Sequence, residues 1–190
     1  QQIDHATDLI KHLVDSLKSL ADVEIHCIGG NHGIRGRYAS WNDNADIEVG
    51  KRLREYYKKG VFVYENLVET ADIFGMKVLL LHGHQFRYAS INSLMTLVDR
   101  WSAVSRPDLV CMGHFHRCMR VRTAAGVLVY VNGSLSTGQR WAYETLGATT
   151  IPETWLLIVG RDRRVKYELP ILCKSSMEEG REKGSKSSRR

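Results

Sequence analysis

Three places in the chain share one construction, an apolar strand-like run that ends in a turn of glycine and histidine. They are IGGNHG at 28–33, LLLHGH at 79–84 and CMGHFH at 111–116. A histidine at the end of a buried strand is fixed by a rigid element yet opens onto a cleft. The adjacent glycine lets the backbone turn and lets an ion or a phosphate approach closely. Neutral imidazole is also a favoured ligand of divalent transition metals. Any one of these histidines, taken alone, reads as a hydrogen-bonded structural residue. Three such turns in one small chain read as a metal site.

The elements that carry the turns follow from periodicity. Ile3, Ala6, Ile10, Leu13, Val14, Leu17 and Leu20 recur at three- and four-residue steps, which predicts a first helix with one buried face. A strand is expected at 23–30, a loop at 31–42, and a second helix over about 43–59, opened by polar caps and closed by Lys58, Lys59 and Gly60. A third helix over 90–104 stops before Pro107, and further strands are expected at 61–64, 77–81, 109–112, 119–123, 127–131, 155–159 and 165–169. Helices and strands alternate in the first half and strands dominate the second. This is the order of a layered α/β protein with at least one sheet buried by helices. Parallel crossovers place loops at strand C-termini, where such folds bind ligands.

A chain of 190 residues with 43% apolar and 25% charged residues is a single globular domain by size and balance. No apolar run approaches the roughly 20 residues needed to span a bilayer, so a membrane role is not expected. Four cysteines, Cys27, Cys111, Cys118 and Cys173, lack paired spacing, which points to a reducing cytoplasm and gives no support to a zinc knuckle. The net charge of +6 is uneven, with six basic and three acidic residues from Lys174 onward. The segment 173–190 is expected to be a disordered basic tail after a domain over 1–172.

In order along the chain, Gly30-Asn31-His32, then His82 after an aliphatic strand, then Gly113-His114-Phe115-His116 resemble the GNH, H and GHxH motifs of calcineurin-like metallophosphoesterases. Residues 131–134, Val-Asn-Gly-Ser, resemble the strand-to-loop element that follows GHxH. The resemblance implies a layered α/β/β/α sandwich with two mixed sheets, here without its N-terminal strands, and metal-dependent hydrolysis of phosphate esters. It implies two divalent metal ions, manganese first, with iron, zinc and nickel as alternatives. Carried over by motif, Asn31, His82 and His114 serve one ion and His116 the other. His32 is the catalytic residue, stabilising the charged transition state or protonating the leaving oxygen. His84 reads as a substrate-facing or ligand-supporting residue.

The upstream D-x-H and G-D-x-x-D motifs of the family have no counterpart after Gln1, and the first helix resembles the one that follows the second of them. The missing motifs are therefore expected before Gln1. On that reading the chain as it stands is inactive and the complete protein is a hydrolase. Gly33 occupies the position after GNH where many members carry an acid, and Arg35 and Arg37 follow it. Similar glycine-then-arginine turns occur in phage and bacterial relatives described as DNA-repair-exonuclease-like. Arginine binds phosphate bidentately, so Arg35 and Arg37 are candidate substrate ligands. Arg87, Arg117, Arg120 and Arg122 near the motif loops, with Tyr38, Trp41, Phe86 and Phe115 to stack on bases, extend the expectation to DNA or RNA. A non-catalytic nucleic-acid-binding or scaffold subunit that keeps the fold is the competing reading.

Overall fold

The computed structural model describes residues 1–34, 36, 40–41, 43–85, 91–135 and 152–173. The expected basic tail therefore lies, but for Cys173, outside the described residues. The chain divides into two compact units, Gln1–Ala71 with Leu79–Arg87, and Asp72–Val78 with Tyr88–Arg190.

The first unit opens with helix α1 (Gln2–Lys18), followed by strand β1 (Ile25–Ile28), helix α2 (Ala45–Tyr57) and strand β2 (Val61–Tyr64). Strands β1 and β2 pair in parallel, Ile25 opposite Val61 and Ile28 opposite Tyr64. The crossover between them runs through α2, whose Ile47 and Leu53 are fully buried. Gly50 brings α2 close to β1, for a methyl group there would lie 3.0 Å from Cys27 Cβ. The helix starts where the Asn44 side chain accepts from the Asp46 N–H at 2.9 Å. It stops at Lys58, which takes a left-handed conformation (φ 63°).

Helix α1 departs from expectation. Val14 is buried, but Leu13, Leu17 and Leu20 of the expected inner face are 58%, 43% and 82% exposed. Its main partner is α2, held by Arg52 bonding Asp4 at 2.6 Å and by the Tyr57 hydroxyl donating to Asp15 at 2.8 Å. A single neighbouring helix covers only a narrow strip of another, which leaves the rest of the leucine face open.

Strands β3 (Val68–Ile73) and β4 (Met76–Leu81) carry the chain between the units. Strand β3 was not expected. Its sequence, VETADI, alternates weakly, and Ala71 is its one buried residue. Helix α3 (Ile91–Ser105) buries Leu94 and Val98, and strands β5 (Leu109–Met112), β6 (Met119–Arg122) and β7 (Leu128–Val131) follow it. The sheet order is β3–β4–β5–β7–β6. Strand β5 is parallel to β7, while β6 is antiparallel to β7, so this is a mixed sheet. Val110, Val129 and Val131 form its fully buried centre. A hairpin of β8 (Glu153–Val159) and β9 (Val165–Leu172) completes the second unit. The fold is mixed α/β, with helices and a mixed sheet.

Candidate metal centre

The first histidine turn is built at the C-terminal end of β1. After Ile28 the chain passes Gly29 and Gly30 into a single 3-10 turn, Asn31–Gly33. Both polar groups of Gly30 are held from the start of α2. The Gly30 N–H donates to Asp46 Oδ2 at 2.8 Å, and the Gly30 carbonyl accepts from Asn44 Nδ2 at 2.8 Å. Asn44 is itself buried. A Cβ on Gly30 would come within 2.9 Å of the His82 ring, and one on Gly33 within 2.0 Å of Asn44 Oδ1. At Gly33 no side chain fits, and at Gly30 one would displace the His82 ring. Asn44 and Asp46 are functional-site residues that sequence reasoning missed. Their signal was visible as the polar cap of α2, but not the direction in which the second hydrogen bond points.

The clamped turn presents Asn31 to His82, which follows the last residue of β4. His82 Nε2 donates to Asn31 Oδ1 at 2.8 Å, joining residues 51 positions apart. An amide oxygen only accepts, so Nε2 carries the proton in this arrangement. His84 stacks on Trp41, with ring centroids 5.3 Å apart and planes 21° apart, and lies 5.6 Å from the His82 ring. Burial holds its pKa below the ordinary imidazole value. Trp41, expected to be available for base stacking, is engaged by this ring. His32 sits on the 3-10 turn and is exposed.

In the second unit, β5 ends at Met112 and the GHFH turn follows. His114 (φ 73°) and His116 (φ 55°) both take left-handed conformations, an uncommon and mildly strained state for residues other than glycine. The Phe115 N–H bonds the Gly113 carbonyl at 2.9 Å, and the Phe115 ring meets His114 edge-on at 5.3 Å. Beside the turn, the Asn132 N–H donates to the Met112 carbonyl at 2.7 Å. Asn132 Oδ1 accepts from Trp155 N–H and from Thr154 Oγ1, each at 2.9 Å. The Val-Asn-Gly-Ser segment thus ties the end of β7 to β8. Because β5 and β7 are parallel, both loops emerge at one end of the sheet, as ligand-binding loops do in α/β folds.

Among the described residues no three His, Cys, Asp or Glu side chains converge on one point. The test of fit for a metal rests instead on the Asn31–His82 pair. Bonds of about 2.1 Å to an octahedral divalent ion place two neighbouring ligand atoms about 3 Å apart. The observed 2.8 Å between Oδ1 and Nε2 is close to that separation. An amide oxygen with an imidazole nitrogen suits a first-row transition ion. The pair fits. Arg35 and Arg37, with Tyr38, Phe86 and Arg87, lie outside the described residues. Of the other arginines expected near the motif loops, Arg117 follows the GHFH turn, but Arg122 pairs with Leu128, at the opposite end of the sheet from that turn.

A calcineurin-like phosphoesterase superfamily domain matches residues 1–151. The chain belongs to this superfamily, whose members are typically metal-dependent hydrolases of phosphate esters. Among curated proteins none matches the sequence. Among solved structures, a double mutant of Vps29 from Entamoeba histolytica is 18% identical with a TM-score of 0.50, covering 84% of this chain and 88% of that one. That likeness shows the fold alone. A single mutant of the same protein is 20% identical with a TM-score of 0.41, covering 56% of this chain and 61% of that one. An archaeal phosphodiesterase is 18% identical with a TM-score of 0.44, covering 70% of this chain and 66% of that one. The chain thus spans about three fifths of the single mutant's length. No helix of the described residues is long and apolar enough to cross a membrane.

Proposed function

We propose that the protein hydrolyses phosphate esters, phosphodiesters in particular, with divalent metal held by Asn31 and His82 and with His114 and His116 as further ligands. The observation that carries this reading is the 2.8 Å hydrogen bond between Asn31 Oδ1 and His82 Nε2. Two motif residues 51 positions apart are brought together by a turn clamped on both sides of Gly30. Metal held there supplies Lewis acidity toward the phosphate and toward water. Manganese is the first choice, with iron, zinc and nickel as alternatives. His32, exposed and adjacent to Asn31, protonates the leaving oxygen or stabilises the charge that develops on phosphorus oxygens. His84, fixed by its stack on Trp41, faces the substrate, and Arg35 and Arg37 hold its phosphate. DNA or RNA would meet those arginines together with Arg117. The relocation of Arg122 removes part of the basis for a nucleic-acid substrate and leaves small phosphodiesters equally open.

The test is hydrolysis of bis-p-nitrophenyl phosphate and of single-stranded DNA by the complete open reading frame with manganese. His32→Ala should lower kcat by roughly 10²- to 10⁴-fold with manganese affinity retained. Asn31→Ala and His82→Ala should instead lose manganese affinity. A complete protein that binds manganese yet hydrolyses neither substrate would turn the reading to a non-catalytic subunit.

A further inference from the structure

A cleft of about 470 Å³ opens within the second unit, and it is lined by charge rather than by histidine. Its position follows from strand register. Leu109 lies opposite Leu128, and Leu128 opposite Arg122, and all three line the cleft. At the other end of the same strands Met112 lies opposite Val131, and Val131 opposite Met119, and there the GHFH turn begins. Three residues of strand separate the two ends, about 10 Å.

Four arginines, Arg120, Arg122, Arg163 and Arg164, share the cleft with two carboxylates, Asp108 and Glu168. Arg120 pairs with Glu168 at 2.8 Å, whereas Arg163 stands 3.9 Å from Asp108. Arg122 donates to the Gly126 carbonyl at 2.8 Å, which fixes the guanidinium without neutralising it. Among the described residues neither Arg122 nor Arg164 has a carboxylate partner. Four guanidinium groups against two carboxylates leave a formal charge of +2 in one cleft. Between the charges Met76, Leu128 and Val165 supply an apolar surface. Like charges gathered around an apolar surface are unfavourable in isolation and favourable around an anion that also carries a nonpolar part. Guanidinium groups match phosphate oxygens bidentately, and methionine adapts to a flat ring.

We propose that this cleft is a second ligand site that takes a nucleoside polyphosphate, with the phosphates on Arg122 and Arg164 and the base on the apolar surface. It stands whether or not the histidine turns hydrolyse phosphate esters. The experiment is isothermal titration of the complete protein with ADP in excess EDTA, so that metal plays no part. One ADP should bind per chain. Arg122→Ser combined with Arg164→Ser should weaken it at least tenfold, and His114→Ala should leave it unchanged. Inorganic pyrophosphate, which has no base, should bind at least tenfold more weakly than ADP. Because the double variant could fail to fold, Arg164→Ser alone is measured beside it, with the thermal midpoint of each. Arg164 lies in the exposed β8–β9 turn, and its loss should weaken ADP severalfold at an unchanged midpoint. The proposal is overturned by absent binding at about 1 mM ADP, by undiminished affinity in folded arginine variants, by loss of binding in His114→Ala, or by pyrophosphate binding as tightly as ADP.

Discussion

Asn44 does three things with one side chain. Its oxygen caps α2 by accepting from the Asp46 N–H, its nitrogen holds the Gly30 carbonyl, and its bulk fills the space that any side chain at residue 33 would need. Truncation to alanine removes a cap worth about 1 kcal/mol and a hydrogen bond worth about 0.5–1.5 kcal/mol, while the Gly30 carbonyl keeps the Gly33 N–H at 3.3 Å. Asn44→Ala should therefore lower stability by roughly 1.5–2.5 kcal/mol in urea unfolding. Asn44→Ser keeps a cap oxygen and loses only the hold on the Gly30 carbonyl, so its loss should be smaller. An equal loss in both variants would mean that the cap contributes nothing. The motif residues of this turn, Asn31 and His32, were legible because glycine and histidine mark a strand end in one dimension. The clamp was not, because a bond from residue 44 back to residue 30 leaves no periodic trace.

At the scale of elements, burial separates positions that look alike in sequence. Leu53 and Leu20 both belong to amphipathic runs, yet Leu53 is fully buried and Leu20 is 82% exposed. Leu53→Ala should cost about 2–5 kcal/mol, and Leu20→Ala should stay within about 0.5 kcal/mol. Comparable losses would show that Leu20 is covered in solution. Strands supply a second contrast. Burial, and secondarily the charge of Asp46, raises the Cys27 thiol on β1 to about 11, and burial raises Cys111 on β5 to about 12. A raised thiol pKa means that thiolate, the reactive form, appears only as pH approaches those values. At pH 8 iodoacetamide should leave Cys27 and Cys111 unmodified in the native protein and alkylate both in urea, as read by mass spectrometry. Runs such as residues 109–112 and 127–131 were legible as strands because every residue in them is apolar. Strand β3 was not, because sheet pairing rather than side-chain pattern defines it.

For the whole molecule, an ion that binds the folded state alone adds to stability by mass action, about 2.7 kcal/mol at a concentration a hundredfold above Kd. The Asn31–His82 pair exists only in the fold, since residues 51 positions apart meet through the clamped turn and the end of β4. Imidazole must give up its Nε2 proton to bind, and it prefers first-row transition ions, whereas calcium seeks six to eight oxygens. Manganese and zinc should therefore raise the thermal midpoint, and calcium at the same concentration should not. Asn31→Ala and His82→Ala should each diminish the rise, because each removes one ligand of the ion. A midpoint raised equally by calcium, or a rise undiminished in both variants, would place the ion elsewhere on the chain. The Asn31–His82 contact would then be a structural hydrogen bond and no more.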